Sequence, residues 1–522
     1  MTDDRAAGAE QGGNGFLRSA RVVSLLTLIS RISGFARDIT FGYFFGATGL
    51  ASAFAVAFTI PNLFRRLFGE GALSAALIPV LAKRLHDEGE AGGAALTGRV
   101  FSWLAFVVSA LVLLGEGLLL VLWLLLPLEG PAGLTLAMTA LLLPYAVLIC
   151  LVAAAGGVLN VRGRFAVPAS APILLNLVLI GTLFGANAWR PEAPVWRIWA
   201  LAWAVLVAGV LQLIMQLHAL RAAGFRARWS FDRSDPGLRN IATAMLPMII
   251  GLAAVQINTL GDTVVALLCV PHEGAPAVLY YAQRLYQFPL GVFSLAFATA
   301  VFPTLSAHAA ADDRASLRDA LATSVRTVFF VGVAATLGLI VTAQPLVQGL
   351  FERGEFAAED TRRVSLTLAA YAAGVWAYGL NHIVIRGFYA MGDRLTPMRV
   401  ATAMVVVNLA LNLTLVWRWE EAGLGAATAI CGVVQFFWLG RILTGRLAPL
   451  PWVELGASGL RSLVGGLVMA AAVLGADRIL AAWAGQPGPI LRLAVLVVTG
   501  VAAYLLSAAL LRSRELPELM SR

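Results

Sequence analysis

Arginine residues lie inside long apolar stretches of this 522-residue chain, where charged side chains are rare. Arg31 and Arg37 stand in SRISGFARD, Arg65 in IPNLFRRLFGEG and Arg284 in YYAQRLYQFP. A charge in the middle of a membrane is costly unless it faces protein or water. A guanidinium is always protonated and binds phosphate oxygens through two parallel hydrogen bonds. Because separate stretches supply these arginines, we expect a shared cationic cavity that suits a phosphate- or diphosphate-bearing ligand.

Polar neighbours in the same stretches are expected to support the four arginines. These neighbours are Asp38, Arg66, Glu70, Gln283 and Gln287. For any single arginine, the alternative is a side chain that extends to the membrane surface, or a local ion pair such as Arg37–Asp38. The stretches hold too few acids to neutralise the whole set, which favours the cavity.

A second polar group includes an acid. Asp262 lies in QINTLGD with Asn258 nearby, and Asn381 lies in a later apolar stretch. An intramembrane carboxylate with amide oxygens could bind a cation. The alternative for Asp262 is a hydrogen-bonded acid near a helix break. The alternative for Asn381 is an amide that joins two helices.

No pattern of residues indicates an enzyme. The cysteines Cys150, Cys269 and Cys431 are far apart, and the sequence has no Cys/His metal-ligand cluster, no phosphate-binding GxxxxGK[ST] motif and no convincing Ser/His/Asp arrangement. We therefore expect no catalytic residue, no metal and no bound cofactor. The net charge of +9 reflects arginines in loops, as is usual in membrane proteins, and does not indicate a nucleic-acid partner.

The composition predicts an all-α polytopic membrane protein. Hydrophobic residues make up 59% of the chain and charged residues 13%, against roughly a quarter charged in soluble proteins. A window of about 20 residues, the length that crosses a bilayer, fits about fourteen times. The stretches 20–44, 48–81 and 277–307 are long and interrupted by Gly or Pro, so broken helices are expected there.

The loops predict the orientation of the chain. With a cytoplasmic N-terminus, arginines concentrate in every second loop through the whole chain. This excess marks the cytoplasmic side. An even number of spans with both termini in the cytoplasm follows.

A faint internal repeat divides the chain into two halves. Three pairs of short motifs, each separated by about 225 residues, carry it: LIPVL and VFPTL around Pro79 and Pro303, GRFAVP and GDRLTP from Gly163 and Gly392, and GVLQ and GVVQ from Gly209 and Gly432. An even number of spans between equivalents predicts two six-helix lobes as parallel repeats. The expected organisation is a disordered tail at 1–16, an N-lobe at 17–220, a C-lobe at 221–445, and two further helices with a cytoplasmic tail at 446–522.

Four segments of the sequence closely resemble the MurJ (MviN) family of lipid II flippases, within the multidrug/oligosaccharidyl-lipid/polysaccharide exporter superfamily. They are SRISGFARD (30–38), AFAVAFTIPNLFRRLFGEGALSAALIPVLA (53–82), YYAQRLYQFPLGV (280–292) and GFYAMGDRLTP (387–397). The resemblance implies fourteen helices, two lobes around a central cavity and a groove for a lipid tail beside the last two helices. It also implies that Arg31, Arg37, Arg65 and Arg284 match essential cavity arginines.

The resemblance further implies a function in peptidoglycan synthesis. The chain would export lipid II across the bacterial cytoplasmic membrane by alternating access. Its expected partners are lipid II, membrane lipids and cell-wall synthesis proteins. Sodium, protons or the membrane potential could drive the export. Gln283, Gln287 and Ser52 stand where some relatives carry acids, which argues against a mechanism that protonates those positions. The alternatives are a cation-coupled exporter of another lipid-linked oligosaccharide or of drug-like molecules, and a cell-wall scaffold without transport.

Overall fold

The computed structural model describes residues 3–126, 130–226, 228–447, 451–482 and 487–520, and these residues form helices and short connections without a β-strand. Ten ranges among them are long and apolar enough to cross a membrane. A helix satisfies its backbone hydrogen bonds internally, which is the condition for crossing lipid. The predicted all-α membrane class is therefore confirmed, while the count of fourteen spans stays a prediction.

The chain forms two compact units, Met1–Gln256 and Ile257–Arg522. The described residues of unit 1 form seven helices and the start of an eighth. They are α1 (Asp3–Phe45), α2 (Gly49–Phe64), α3 (Leu73–Leu125), α4 (Gly130–Leu142), α5 (Tyr145–Val161), α6 (Ala166–Trp189), α7 (Pro194–Ala222) and the first part of α8 (Pro236–Cys269).

Unit 2 contains the end of α8 and the helices that follow it. They are α9 (Ala275–Pro289), α10 (Leu295–Ala310), α11 (Arg314–Phe351), α12 (Ala358–Ala372), α13 (Val375–Ala390), α14 (Leu395–Arg446), α15 (Trp452–Ala482), α16 (Pro489–Leu510) and α17 (Glu515–Met520). The buried residues of α11, α15 and α16 form a core cluster of their own.

Two of the predicted boundaries differ from the helices. Helix α1 starts at Asp3 and so includes residues 3–16, which their composition assigns to a disordered tail. The division between the units falls inside α8, after the predicted lobe boundary at 220/221. The first turns of α8 belong to unit 1 because Ile241 and Met245 pack in its core.

A short π-helical segment interrupts the second long helix of each unit. One covers Arg65–Ala72 and the other Leu290–Ser294, so they begin about 225 residues apart. A proline precedes each: Pro61 and Pro289. Proline removes a backbone donor and crowds the preceding turn, and wider π turns are frequent at functional sites. The interruptions that the sequence predicts in these two stretches are confirmed. The one predicted in 20–44 is wrong, because α1 runs through that stretch as a continuous helix.

Tight turns also recur at equivalent places. Gly163 and Gly392 both have positive φ angles, 71° and 79°, in the turns that follow α5 and α13. A residue with a side chain rarely adopts this conformation. Within α3 and α14, Gly89 and Glu420 have non-helical backbone angles, so each of these helices is two segments.

A glycine–tyrosine contact supports the internal repeat independently. A Cβ atom on Gly209 of α7 would lie 2.7 Å from the ring of Tyr145, and one on Gly432 of α14 would lie 2.3 Å from the ring of Tyr378. Both distances are too short for a real Cβ. Each glycine therefore lets a tyrosine of a neighbouring helix approach the backbone. The two glycines are the first residues of the repeated motifs GVLQ and GVVQ.

Candidate functional site

Arg37 is held between two helices of unit 1. Its Nη2 and Nε donate to Oδ1 of Asp38 at 2.7 and 3.1 Å, and its Nη1 donates to Oδ1 of Asn176 on α6 at 3.1 Å. Asn176 in turn donates from Nδ2 to the hydroxyl of Ser33 on α1 at 3.0 Å. The Arg37 side chain is 14% exposed and that of Asp38 4%. These contacts fix the position of a guanidinium deep within the helices.

Arg65 and Arg66 lie on the π-helical segment of unit 1. Nε of Arg65 donates to Oδ1 of Asn62 at 2.8 Å, and Nη1 of Arg66 donates to Oε1 of Gln256 at 3.4 Å. Both of these partners are side-chain amides, and the contacts orient the two guanidiniums. Arg37 and Arg65 both lie close enough to the buried Tyr145 for their charges to act on its hydroxyl.

Arg31 is exposed on α1, two turns before Asp38, and forms no ion pair with a described carboxylate. The side chain of Glu70, predicted to support the arginines, lies outside the described residues. Arg37 thus forms the local ion pair with Asp38 that the sequence offered as the alternative. The shared cationic cavity stays a prediction, and a guanidinium in it would suit an anionic ligand.

Arg284 belongs to unit 2, where aromatic rings surround it. Its guanidinium carbon lies 5.0 Å from the ring centroid of Tyr280, within cation–π distance. The adjacent Gln283 donates from Nε2 to the hydroxyl of Tyr371 at 3.2 Å, whereas Gln287 is exposed. Tyr371 stacks on Tyr286 with centroids 4.8 Å apart. The stacked rings and the Gln283–Tyr371 hydrogen bond join α9 to α12 beside Arg284.

Asp262 forms a buried polar cluster in unit 2. It is 2% exposed. Its Oδ1 accepts from Nδ2 of Asn412 at 2.6 Å, and its Oδ2 accepts from the Thr428 hydroxyl at 3.4 Å. Asn412 also donates to Oδ1 of Asn408 at 2.9 Å. Three segments therefore meet at this carboxylate: α8 and the two parts of α14.

The partners of Asp262 differ from those expected. Neither Asn258 nor Asn381 hydrogen-bonds to the carboxylate; Nδ2 of Asn381 donates instead to the Gly432 carbonyl at 2.9 Å. Asn381 therefore joins two helices, which was the alternative reading. Sequence reasoning missed Asn408, Asn412 and Thr428. The signal for the two asparagines was present, because their spacing of one helical turn in NLALN puts both amides on one helix face.

The family model described as "Lipid II flippase MurJ" matches residues 41–490 of the chain. The probable lipid II flippase MurJ of Vibrio cholerae is 34% identical over 515 residues, covering 95% of this chain and 96% of the relative. The lipid II flippase MurJ of Burkholderia cenocepacia is 32% identical, covering 84% and 86%.

Solved structures share the fold. A lipid II flippase MurJ in an inward closed conformation has a TM-score of 0.76 at 22% identity, covering 94% of this chain and 98% of that structure. An inward-facing multidrug resistance transporter of the MATE family has a TM-score of 0.67 at 16% identity, covering 82% and 98%. The same helical scaffold thus serves transporters with unlike substrates, so the side chains described above must decide the function.

Proposed function

The chain belongs to the lipid II flippase MurJ family, and from this premise we propose that it moves lipid II from the inner to the outer leaflet of the bacterial cytoplasmic membrane. Lipid II is a peptidoglycan precursor linked through a diphosphate to a polyprenyl chain. Movement occurs by alternating access: the head group passes through a wet cavity while the polyprenyl tail stays in lipid. The protein is a transporter rather than an enzyme.

The proposed layout has fourteen membrane spans and two six-helix lobes, with the last two long helices beside them. Splitting α3 and α14 at Gly89 and Glu420, and joining the segments of the interrupted helices, supports this count. Both termini lie in the cytoplasm, because the arginine-rich loops then share that side. The matching glycine–tyrosine contacts of the two units support parallel repeats.

The arrangement around Arg37 is the observation that carries the proposal. Asp38 on α1 and Asn176 on α6 hold its guanidinium. Arg65, like Arg37, lies near Tyr145. A diphosphate offers several oxygens to such a pair of guanidiniums. Arg31 of the same unit and Arg284 of unit 2 are the other residues proposed to bind the head group. A surface arginine would need no such supporting contacts.

The membrane potential supplies a driving force for this anionic cargo. Moving a negative charge outward across an inside-negative membrane is favoured by about 2.3 kcal/mol per charge per 100 mV. The positive charges of the empty cavity respond in the opposite direction. The potential therefore favours release of the cargo outside and return of the empty cavity to the inside.

We also propose a cation site at Asp262. The oxygens there suit a small hard cation such as sodium: a carboxylate, the hydroxyl of Thr428, and Oδ1 of Asn412, which is buried without a hydrogen-bond partner. A proton could take the same place. This cluster would let a cation gradient bias the conformation of unit 2.

A drug exporter on the same scaffold is the second candidate, since the fold is shared with a multidrug resistance transporter. Many drugs of this kind are cationic, and the guanidiniums of the proposed cavity would repel them. Besides lipid II, the proposed partners are membrane lipids and cell-wall synthesis proteins.

The proposal is tested by complementation in a strain depleted of its own lipid II flippase. Arg37→Ala should abolish growth, because the diphosphate loses a charge-assisted hydrogen-bond donor that neither Asp38 nor Asn176 replaces. Arg441→Ala is the matched control: this exposed arginine lies on α14, away from the described polar clusters, and its loss should leave growth intact.

Reconstitution separates transport from folding. Purified protein in liposomes with labelled lipid II should exchange the label between leaflets, and Arg37→Ala should stop the exchange while the protein remains folded. Full exchange by Arg37→Ala would refute the assigned site. Absence of exchange by the unaltered protein, with and without a potential, would refute the transport function itself.

A further inference from the structure

The described part of the segment between α7 and α8, residues 223–226 and 228–235, is attached along α3 of unit 1. The Ser230 amide donates to the Ser102 hydroxyl at 2.8 Å. A Cβ on Gly98 would lie only 1.9 Å from the Arg228 carbonyl oxygen, so a glycine is needed for the close approach. Asp235 is buried between Arg84 and Arg99, and its Oδ2 accepts from Nη1 of Arg99 at 2.6 Å. This segment is therefore part of the folded unit.

A cavity of about 310 Å³ lies between this segment, α3 and α7. Phe101, Leu217 and Phe225 contribute apolar surface to it. Arg221, Arg226 and Arg228 also line it, and we call it the linker pocket. Its volume suits a small head group.

The three arginines of the linker pocket form no ion pair with a described carboxylate. The nearest acids along the segment, Asp232 and Asp235, are engaged elsewhere by Arg99, at 3.2 and 2.6 Å. All three arginine side chains are exposed. The pocket therefore presents uncompensated positive charge next to an apolar floor, which is complementary to an anionic amphiphile.

Aromatic residues beside the pocket mark a membrane interface. Trp229 is 65% exposed and Phe231 57%. Phe231 packs edge-on against Trp103 and Phe106, with centroids 5.7 and 6.2 Å away. Tryptophan at the level of lipid head groups is typical of membrane proteins. Arginine alternating with such residues places the charges where lipid phosphates lie.

Unit 2 has a cavity in a similar place, but its charges are mixed. That cavity of about 520 Å³ is lined by His308, Asp312, Asp313, Arg314 and Arg446, among others. Arg314 pairs with Asp312 at 3.5 Å, and Arg446 pairs with Asp393. A loop on the arginine-rich side is therefore not enough to create an uncompensated cationic pocket.

We propose that the linker pocket binds the phosphate head group of an anionic phospholipid, with its acyl chains against Phe231, Trp103 and Phe106. With the orientation proposed above, this lipid belongs to the cytoplasmic leaflet. The site is separate from the transported lipid II. Basic pockets at this level of membrane proteins commonly bind anionic head groups.

Brominated lipids test the proposal through quenching of Trp229. The chain is placed in phosphatidylcholine nanodiscs with increasing brominated phosphatidylglycerol, and the Trp229 signal is the difference from Trp229→Phe. Phosphatidylglycerol should quench at a far lower mole fraction than brominated phosphatidylcholine does. The double variant Arg226→Gln/Arg228→Gln should raise the mole fraction of phosphatidylglycerol needed for half-maximal quenching by about 30-fold, at about fivefold per charge. The double variant Arg226→Lys/Arg228→Lys keeps both charges and should restore most of the quenching.

Arg314→Gln, in the mixed cavity of unit 2, is the matched control and should change nothing. Phosphatidylglycerol molecules retained in native mass spectrometry give a second readout that does not depend on Trp229. Equal quenching by the two lipids, or unchanged retention in the glutamine variants, would overturn the proposal. Displacement by inorganic phosphate alone would indicate a free-anion site and equally overturn the lipid assignment. Lipid II exchange in phosphatidylcholine liposomes should persist in the glutamine variants, so this result is independent of the transport function.

Discussion

The two units of the molecule use the same helix positions with opposite charges. In unit 1, Arg37 on α1 donates to Asn176 on α6. In unit 2, Asp262 lies about 225 residues further on, on α8, and accepts from Asn412 on the first part of α14. Each unit thus joins its first helix to its fifth predicted span through an asparagine. Because an amide both donates and accepts, it serves a guanidinium in one unit and a carboxylate in the other.

The same replacement of a basic residue by an acidic one occurs at the turns after α5 and α13. In unit 1, Arg164 follows Gly163 and donates from Nη2 to the Ala222 carbonyl at the end of α7, at 3.2 Å. In unit 2, Asp393 follows Gly392 and accepts from Arg446 at the end of α14. In both units a hydrogen bond thus connects the turn to the end of a later helix. The turn supplies the donor in unit 1 and the acceptor in unit 2.

A third pair of equivalent positions is buried and again carries opposite charges. Arg197 lies near the start of α7, and Glu421 lies near the start of the second part of α14. Arg197 donates from Nη1 to Oδ1 of Asn187 and to the Pro191 carbonyl, both at 2.7 Å. Glu421, about 225 residues later, pairs with Arg363. Apolar packing, tight turns and π segments are therefore shared between the units, whereas these three positions carry a basic residue in unit 1 and an acidic residue in unit 2.

The largest effect is expected when the central charges are removed. Arg37→Gln should lower lipid II exchange by about 100-fold, because hydrogen bonds to charged groups contribute about 3 kcal/mol when well placed. Asp262→Asn should keep exchange but abolish its response to a sodium or pH gradient. Leaflet exchange measured with and without each gradient distinguishes the two. If both variants lose only gradient dependence, the division of roles between the units is wrong.

Next in size is the cost of breaking the buried ion pair of unit 2. Arg363→Ala leaves Glu421, 4% exposed, without its partner and should destabilise the fold by about 4 kcal/mol. Arg197→Ala in unit 1 should cost about 2 kcal/mol, since its partners are neutral oxygens. Thermal unfolding in detergent compares the two. Adding Glu421→Gln to Arg363→Ala should recover part of the loss; an equal cost for both single variants would show that charge does not distinguish the positions.

A smaller and equal effect in both units is expected from their shared geometry. Gly209→Ala and Gly432→Ala each force a methyl group against a tyrosine ring and should destabilise by about 2 kcal/mol. Gly440→Ala is a matched control on α14, because nothing lies within 4 Å of a Cβ there. Melting temperatures of the three variants test the contact. A cost in only one unit would show that the glycine–tyrosine contact is not equivalent in the two units.

Much of the fold was readable from the sequence because lipid imposes a simple pattern. Apolar length predicted the helices, and glycines and prolines predicted the interruptions in 48–81 and 277–307 but wrongly predicted one in 20–44. Arg37 and Asp262 stood out because charges are rare in apolar stretches. Their partners were harder to predict, because Asn176, Asn408 and Asn412 lie far from them in sequence and an amide has many possible roles. Asn258 was chosen for its nearness in sequence, whereas helix packing brought Asn412 to the carboxylate.

The smallest effect concerns the turn before α14, which lies outside the spans. Hydrogen bonds from the hydroxyl and amide of Thr396, with the charge of Arg446, hold the pKa of Asp393 below its ordinary value. The folded state therefore favours the ionised form. The stabilisation is complete above the unfolded pKa of about 3.9 and is lost as the pH falls through the lower folded value.

Asp393→Asn should remove this acid-dependent part and destabilise the turn by about 1 kcal/mol at neutral pH, as is typical for a helix cap. Hydrogen exchange of residues 391–396, followed from pH 7 down to acid after correction for intrinsic rates, measures it. Arg164 occupies the equivalent turn of unit 1, so Arg164→Gln should leave the acid dependence there flat. The turn of unit 2 carries the titrating Asp393 where that of unit 1 carries Arg164. An acid-sensitive turn in unit 1, or an insensitive one in unit 2, would therefore contradict the opposite charges assigned to these two positions.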